Sequence, residues 1–211
     1  MALPDTWDEV AMVSLYRQGD TTTGEVQFMS ITEEIEVNEG DYPYETIPNT
    51  AGGRIGKQSP QEDGEITLKL REVELTTSSG DTIPRPGMAQ FWNGVSGAIP
   101  AAYDTSEPLG TDSSWPAGIT RVRDTFRVSI LTTNDPAATS AAGATAVSTD
   151  ARRVYATGCK ITHYGEKFTP EDGWTSEVTF KFGAMNKAGT VKNCVRESGD
   201  QTALVTLGAY S

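Results

Sequence analysis

The chain has one histidine, two cysteines and only seven lysines, and it holds no apolar run approaching the ~18–20 residues that a membrane helix needs. Each shortage narrows what the protein can do. A single histidine, His163, has to serve any His-based triad or zinc site. Its neighbours Thr162 and Tyr164 offer no second ligand. Cys159, four positions away on an apparent strand, shares its face but lies far along it. The plainer role for His163 is a strand residue meeting water or a partner. Cys159 and Cys194 are too few for a disulfide framework. Cys159 sits in a strand pattern and is expected as a small buried residue, with a bridge to Cys194 as the alternative. The first nine residues lack both a basic start and an apolar core, so no secretory signal is expected there.

Basic charge is also in deficit. Seventeen Lys and Arg face 29 Asp and Glu, a formal net charge of −12. A protein that binds nucleic acid needs surplus cations to replace the counterions on phosphates, so ordinary nucleic-acid binding is disfavoured. The acidity has three readings: solubility, a surface past which a polyanion slides without sticking, or a salt-rich host, since arginine (10) outnumbers lysine (7).

Motifs that carry catalysis are missing as well. Gly52-Gly53-Arg54-Ile55-Gly56 lacks the Gly-Lys-Ser/Thr ending of a phosphate loop, and Gly94-Val95-Ser96-Gly97 lacks the spacing of a nucleophile elbow. The acidic clusters at 33–36 and 62–65 lack the spacing of a calcium loop. Carboxylates paired in space for glycoside hydrolysis leave no mark in sequence, but nothing nominates a pair. The expectation is a protein without catalytic residues, metal or cofactor.

Strand patterns are abundant, and 21 Gly and 11 Pro add turns. Residues 9–16 form a first strand, apolar enough for burial on both faces. From residue 25 a second strand begins with Val26 and Phe28 inward. The phase then flips to Met29, Ile31, Ile35 and Val37, with Ser30, Thr32, Glu34 and Glu36 opposite. A flip within one run means a bulge or a change of partner sheet. A Gly-, Pro- and Tyr-rich excursion follows, too long for a tight hairpin, and then an alternating strand with Ile66, Leu68 and Leu70 on one face, whose phase flips again at Val73 and Leu75. The matching flips predict two neighbouring strands that bend together.

Pro84 to Gly94, with Met88, Phe91 and Trp92 at spacings of three and four, predicts a short helix lying on the sheet, and 135–142 a second helix or an exposed loop. Phe126, Val128 and Ile130 alternate as a strand. Residues 152–164 and 174–183 form the clearest strand pair, joined by a turn at 169–173, with Trp174, Ser176, Val178, Phe180 and Phe182 on one face and Thr175, Glu177, Thr179 and Lys181 on the other. The tail reads as polar from Asn186 to a terminal strand at 203–207. The resulting expectation is one mainly β domain over 1–211. It is an antiparallel β-sandwich or barrel with one or two short flanking helices, an arm at about 38–57, and long loops at about 95–120 and 133–150.

Taken together, Gly24-Glu-Val-Gln-Phe28, the arm ending Gly52-Gly-Arg-Ile55, Ser59-Pro-Gln-Glu62 before an alternating strand, Arg127-Val-Ser-Ile-Leu-Thr-Thr-Asn-Asp135, Arg153-Val-Tyr-Ala-Thr-Gly-Cys-Lys-Ile-Thr162 and Val178-Thr-Phe-Lys-Phe-Gly-Ala-Met-Asn-Lys187 resemble the major tail tube proteins of long-tailed, siphovirus-like bacterial or archaeal viruses. The likeness lies in strand order, arm position and the late hairpin, over about two-thirds of the chain. It implies a tail-tube-like β-sandwich that assembles into stacked homohexameric rings in the virion tail. DNA would pass down the hollow centre without specific binding, and no membrane is involved. Tape measure, tail terminator and baseplate proteins are the further partners it implies, and a negative lumen is usual for such tubes.

On this reading the arm reaches out of its own subunit, with Tyr42, Tyr44 and Ile47 burying apolar surface on a neighbour and Arg54 and Lys57 pairing with its acidic groups. A self-packed loop covering one end of the sandwich is the alternative. Thr32, Glu34, Glu36, Glu177 and Thr179 are the candidates to face the lumen, with Lys181 beside them; otherwise they form an outer solvated face. Competing functions are a secretion-system tube of the same architecture, a monomeric carbohydrate-binding sandwich using Trp92, Trp115 or Trp174, and an enzyme with spatially paired carboxylates.

Overall fold

The computed structural model of the protein describes residues 10–17, 26–28, 30–72, 88, 92, 125–133 and 151–199. They build an antiparallel two-layer β structure from ten strands: β1 (Val10–Arg17), β2 (Val26–Phe28), β3 (Ser30–Asn38), β4 (Tyr44–Pro48), β5 (Arg54–Gln58), β6 (Gly64–Glu72), β7 (Phe126–Thr133), β8 (Ala151–Thr169), β9 (Gly173–Phe182) and β10 (Cys194–Gly199). One layer runs β2-β1-β7-β8, with β10 also on β8; the other runs β8-β9-β6-β3. The strand β8 belongs to both. Its first half pairs with β7 and β10, and its second half, from Lys160, pairs with β9.

A strand that passes from one layer to the other has to bend, and the sequence of β8 supplies the means. Gly158 has φ of +69°, a conformation that a side chain would strain, and the register slips beside it, between Phe126 and Val128 of β7. A second slip, between Ile161 and His163, follows where β9 takes over. The fold-back thus rests on a glycine flanked by two irregularities.

Alternation along β6 and β9 fills the space between the layers. Ile66, Leu68 and Leu70 point inward, opposite Phe180, Val178 and Ser176 of β9. Continuing across the sheet, Val37, Ile66, Phe180 and Ile161 form one apolar row, and Ile35, Leu68, Val178 and Tyr164 the next. From the other layer Val13, Leu15, Val128, Ile130, Phe126 and Ala156 close the core. Burying each large side chain contributes about 1.5–3 kcal/mol, so these rows hold the layers together. The outer face of the first layer is buried too: Ser14, Ser129, Thr133, Arg153 and Tyr155 are almost fully enclosed. Arg153 is held there by Glu197 of β10, through Nε at 2.9 Å and Nη2 at 2.5 Å. Burial on both faces of β1, expected from its sequence, holds at Val13, Ser14 and Leu15.

After Phe28 the chain changes partner, β2 pairing with β1 in one layer and β3 with β6 in the other, but the phase does not flip there: Ile31 is set opposite Arg71 and Thr32 opposite Leu70. The phase changes at a bulge between Thr32 and Glu34, after which Ile35 lies opposite Leu68, and β3 and β6 are neighbours as their matching flips predicted. Met88 and Trp92 are helical; Met88 is buried and Trp92 stacks on Tyr164 with ring centroids 4.5 Å apart. Val73 and Leu75, the remainder of the expected helix around Met88 and Trp92, the loop at 95–120, the loop expected at 133–150 beyond Thr133, Trp115, the segment 135–142 and the strand at 203–207 lie outside the described residues.

One expectation needs correction here. The stretch after Asn186 is not uniformly polar tail, because Cys194–Gly199 forms β10 on β8. Its polar residues conceal the strand: Glu197 is drawn inward by the buried Arg153, and Arg196 pairs with Glu39 at 2.5 Å. The excursion after Asn38, too long for a tight hairpin of its own, carries a second strand pair, β4 with β5, above a short irregular waist.

Candidate functional site

That strand pair is the β4–β5 arm. Tyr44 to Pro48 pairs with Gln58 to Arg54, and Asn49 closes the turn by accepting hydrogen bonds from the Ala51 and Gly53 amides on its side-chain oxygen. Backbone bonds from Ser59 N to Pro43 O and from Glu62 N to Asp41 O join it to the β3–β6 ladder, so arm and sheet are one long interrupted hairpin. At the waist Gly40 has φ of +87°, and a Cβ placed there would meet the Glu62 carbonyl oxygen at 2.2 Å. No larger residue fits that crossing. Arg196 from β10 ties the waist to the body through Glu39, whose backbone carbonyl also accepts from Gln61.

All ten residues of β4 and β5 are exposed. Ile47 and Ile55 stand directly opposite each other on one face, flanked by Glu45 and Lys57; the other face carries Tyr44, whose ring lies over Gly56, together with Arg54. Exposure of Tyr42 (52%), Tyr44 (67%), Ile47 (50%) and Ile55 (60%) is high for residues of this kind. A two-stranded ribbon with no third strand is marginal in water, so such a surface calls for a cover. Tyr42, Tyr44, Ile47, Arg54 and Lys57 are therefore all on or beside one projecting element. Ile55, not singled out from the sequence, completes its apolar pair.

The second surface is the polar face of the β8-β9-β6-β3 layer. Cross-strand register sets Glu36, Thr67, Thr179 and His163 in one row and Glu34, Lys69, Glu177 and Gly165 in the next. Below lie Asn38, Glu65, Lys181 and Lys160, and above lie Arg71, Thr175 and Lys167. Glu34, Glu36, Glu177 and Thr179 thus share one face; Thr32, expected with them, is set by the bulge opposite Leu70, in a row of the other face, and its side chain lies outside the described residues. Thr179 is nearly buried, its hydroxyl 3.4 Å from that of Thr67. Lys69 binds Glu34 at 2.7 Å, and this hydrogen bond and charge hold the Glu34 carboxyl below its ordinary pKa. Lys181 lies 3.3 Å from Glu65, and Arg71 pairs with Asp172 at 2.5 Å. Among the described side chains, carboxylates and cations on this face nearly balance, so the chain's net charge of −12 is not concentrated here. Where Gly165 leaves a gap, a groove of about 490 Å³ opens between His163, Lys69, Lys167, Glu166 and Glu177.

Among the described residues neither edge of this layer is closed: no strand pairs with the far side of β3, and residues 160–169 of β8 pair with β9 alone. Unpaired edges expose a row of backbone donors and acceptors and invite another chain. At the end of the layer opposite the arm, the β8–β9 turn carries Phe168 and Trp174, 57% and 55% exposed, with ring centroids 5.4 Å apart. The sequence placed Trp174 with the core-facing residues of β9. It shares their face but lies beyond the end of the core, and Phe168 joins it by register.

Cys159 and Cys194 are separate buried thiols; burial pushes Cys159 far up and, with Glu39 nearby, raises Cys194 to about 11. Among the described residues no group of His, Cys, Asp and Glu is arranged to hold a metal ion.

No protein-family model matches the sequence, and no curated protein matches it. Solved structures are similar in shape. The sheath–tube complex of an extracellular contractile injection system (PVC, extended state) matches with a TM-score of 0.46 and 9% identity, covering 90% of this chain and 88% of that one. The tube-terminating cap of the anti-feeding prophage matches with a TM-score of 0.45 and 6% identity, over 94% and 93% of the two chains. Hcp1 from Flavobacterium johnsoniae gives 0.32 and 10%, over 92% and 98%.

Proposed function

We propose that this chain is a structural subunit that closes into hexameric rings, stacked into the hollow tail tube through which a long-tailed virus delivers its DNA. The carrying observation is the β8-β9-β6-β3 layer: apolar on the face packed against the core, polar on the other and, among the described residues, open at both edges. The far edge of β3 and the second half of β8 are different surfaces, so pairing one with the other is heterologous and repeats from copy to copy. A heterologous contact ends either in a closed ring or in an open filament. Four strands from each of six copies would make a barrel of about two dozen strands, wide enough for an aqueous channel.

The polar face then becomes the wall, with Glu34, Glu36, Glu177 and Thr179 toward the channel. Lys69, Lys181 and Arg71 are engaged by Glu34, Glu65 and Asp172, so three of the five cations that the described residues place on this wall, the others being Lys160 and Lys167, are compensated from within, which lowers their pull on a passing polyanion. The arm, with Tyr42, Tyr44, Ile47, Arg54 and Lys57, couples one ring to the next. The near-balance of charge on this wall also favours a second reading, a secretion-system tube, since a mixed wall is equally indifferent to a protein cargo. Electron microscopy of the purified chain at high concentration, and of particles from the source, tests both. Hollow tubes with a ring repeat support the tube; a monodisperse monomer under all conditions refutes it. Capsids attached to tubes in the source particles assign it to a virus, and capsid-free particles to a secretion system.

A further inference from the structure

We infer that Phe168 and Trp174 form the seat on which the β4–β5 arm of an adjoining copy of this chain docks, an inference that rests on the stacked-tube reading. Topology places the two surfaces at opposite ends of one layer. The arm leaves from the row of Asn38, Glu65, Lys181 and Lys160, whereas the β8–β9 turn closes the other end, beyond Arg71 and Thr175. Copies stacked head to tail along the strands bring the arm of one against the turn of the next.

Reach is sufficient. From Asn38 to Asn49 the chain extends up to about 36 Å at ~3.3 Å per residue, and the layer from Lys181 to Trp174 spans only about 23 Å.

The surfaces are also complementary. Each presents an aromatic or aliphatic pair that its own subunit leaves exposed: Ile47 with Ile55 on the arm, Phe168 with Trp174 on the turn. Arm and turn carry opposite charge bias. Over 44–58, Arg54 and Lys57 outweigh Glu45, whereas over 166–174, Glu166, Glu171 and Asp172 outweigh Lys167. Aromatic side chains at the centre with charges around them are the usual composition of an interface anchor. The Phe168–Trp174 pair also stands at the tip of a rigid element. Thr169 and Asp172 bond each other across the turn, and Asp172 is fixed by Arg71, so the rings are presented in a set position.

The test uses the full chain. In a Phe168→Ala/Trp174→Ala variant, both sites being exposed, the concentration at which tubes appear by electron microscopy is expected to rise at least about tenfold, with rings still forming. A second measurement does not depend on that variant: copies carrying Ile55→Cys are mixed with copies carrying Trp174→Cys, assembled and mildly oxidised. Covalent heterodimers from assembled tubes support the seat. Tubes that form at wild-type concentration in the double variant, or cross-linking absent from assembled tubes, overturn it and leave the tube reading standing. If the wild-type chain makes neither rings nor tubes, the tube reading fails and this inference falls with it. Trp174 emission that shifts on adding soluble oligosaccharide, and not on assembly, overturns it in favour of a sugar platform.

Discussion

Single residues decide whether the arm is held and whether the first layer survives. Gly40 combines a positive φ with a carbonyl oxygen where its Cβ would stand. Gly40→Ala is therefore expected to cost roughly 1–3 kcal/mol locally and to raise the hydrogen-exchange rates of arm amides while those of β9 stay protected. Arg153 is a buried cation held by Glu197. Removing one partner leaves the other charge enclosed, so Glu197→Ala is expected to lower unfolding free energy by about 3–5 kcal/mol in urea titration; Arg153→Met with Glu197→Leu should recover most of it. Cys194 gives a pH dependence. Burial raises its thiol from 9.0 to about 11, so the unfolded chain ionises first. Its contribution is intact below pH 9.0 and is lost as pH rises toward about 11. A Cys194→Ala variant should show a shallower decline of stability across that window. Cys159 was legible as a core thiol from its strand pattern; the burial of Cys194 needed β10.

At the scale of elements, β3, β6 and β9 were legible because one face of each meets the core, and period-two alternation survives wherever that is so. The inward parity of β3 changes at the bulge between Thr32 and Glu34, and not at the passage from Phe28 to Ser30 where the chain changes layers, because a bulge adds one residue to the count. β10 was hidden by Arg196 and Glu197, whose charges are satisfied by partners far away in sequence. The arm was legible as an anomaly of length and composition, but not as a hairpin: its alternation has no core to refer to, with both faces exposed. Because Ser59 N bonds Pro43 O, the stem closes below the arm. Replacing residues 44–58 with an Asn-Gly turn should leave a folded subunit with a melting temperature within a few degrees of wild type. Stacked tubes should be absent from the same preparation by electron microscopy; normal tubes would show that the arm is not the coupling.

For the whole molecule, net charge sets the conditions of assembly. Subunits of −12 repel one another, and their described polar wall does not hold the excess. Salt screens that repulsion within about 10 Å at 0.1 M, whereas apolar contacts and backbone pairing are little affected. Raising salt from about 0.05 to 0.5 M is expected to lower the concentration at which light scattering detects tubes. The opposite trend would mean that ion pairs between copies dominate.

What the sequence determined by itself was local: the β class, the parity of β6 and β9, the turn at 169–173, the arm as an outlying segment and the lack of catalytic motifs. These follow from side-chain period and backbone chemistry, which act over a few residues. Only the tertiary structure decided that β8 serves two layers, that one layer is open at both edges among the described residues, that cations and carboxylates nearly balance on its polar face, and that the arm and the Phe168–Trp174 pair stand at opposite ends of it. Those properties depend on which strands lie side by side, and strand order is set by contacts between residues as far apart as Glu39 and Arg196, which no local pattern encodes.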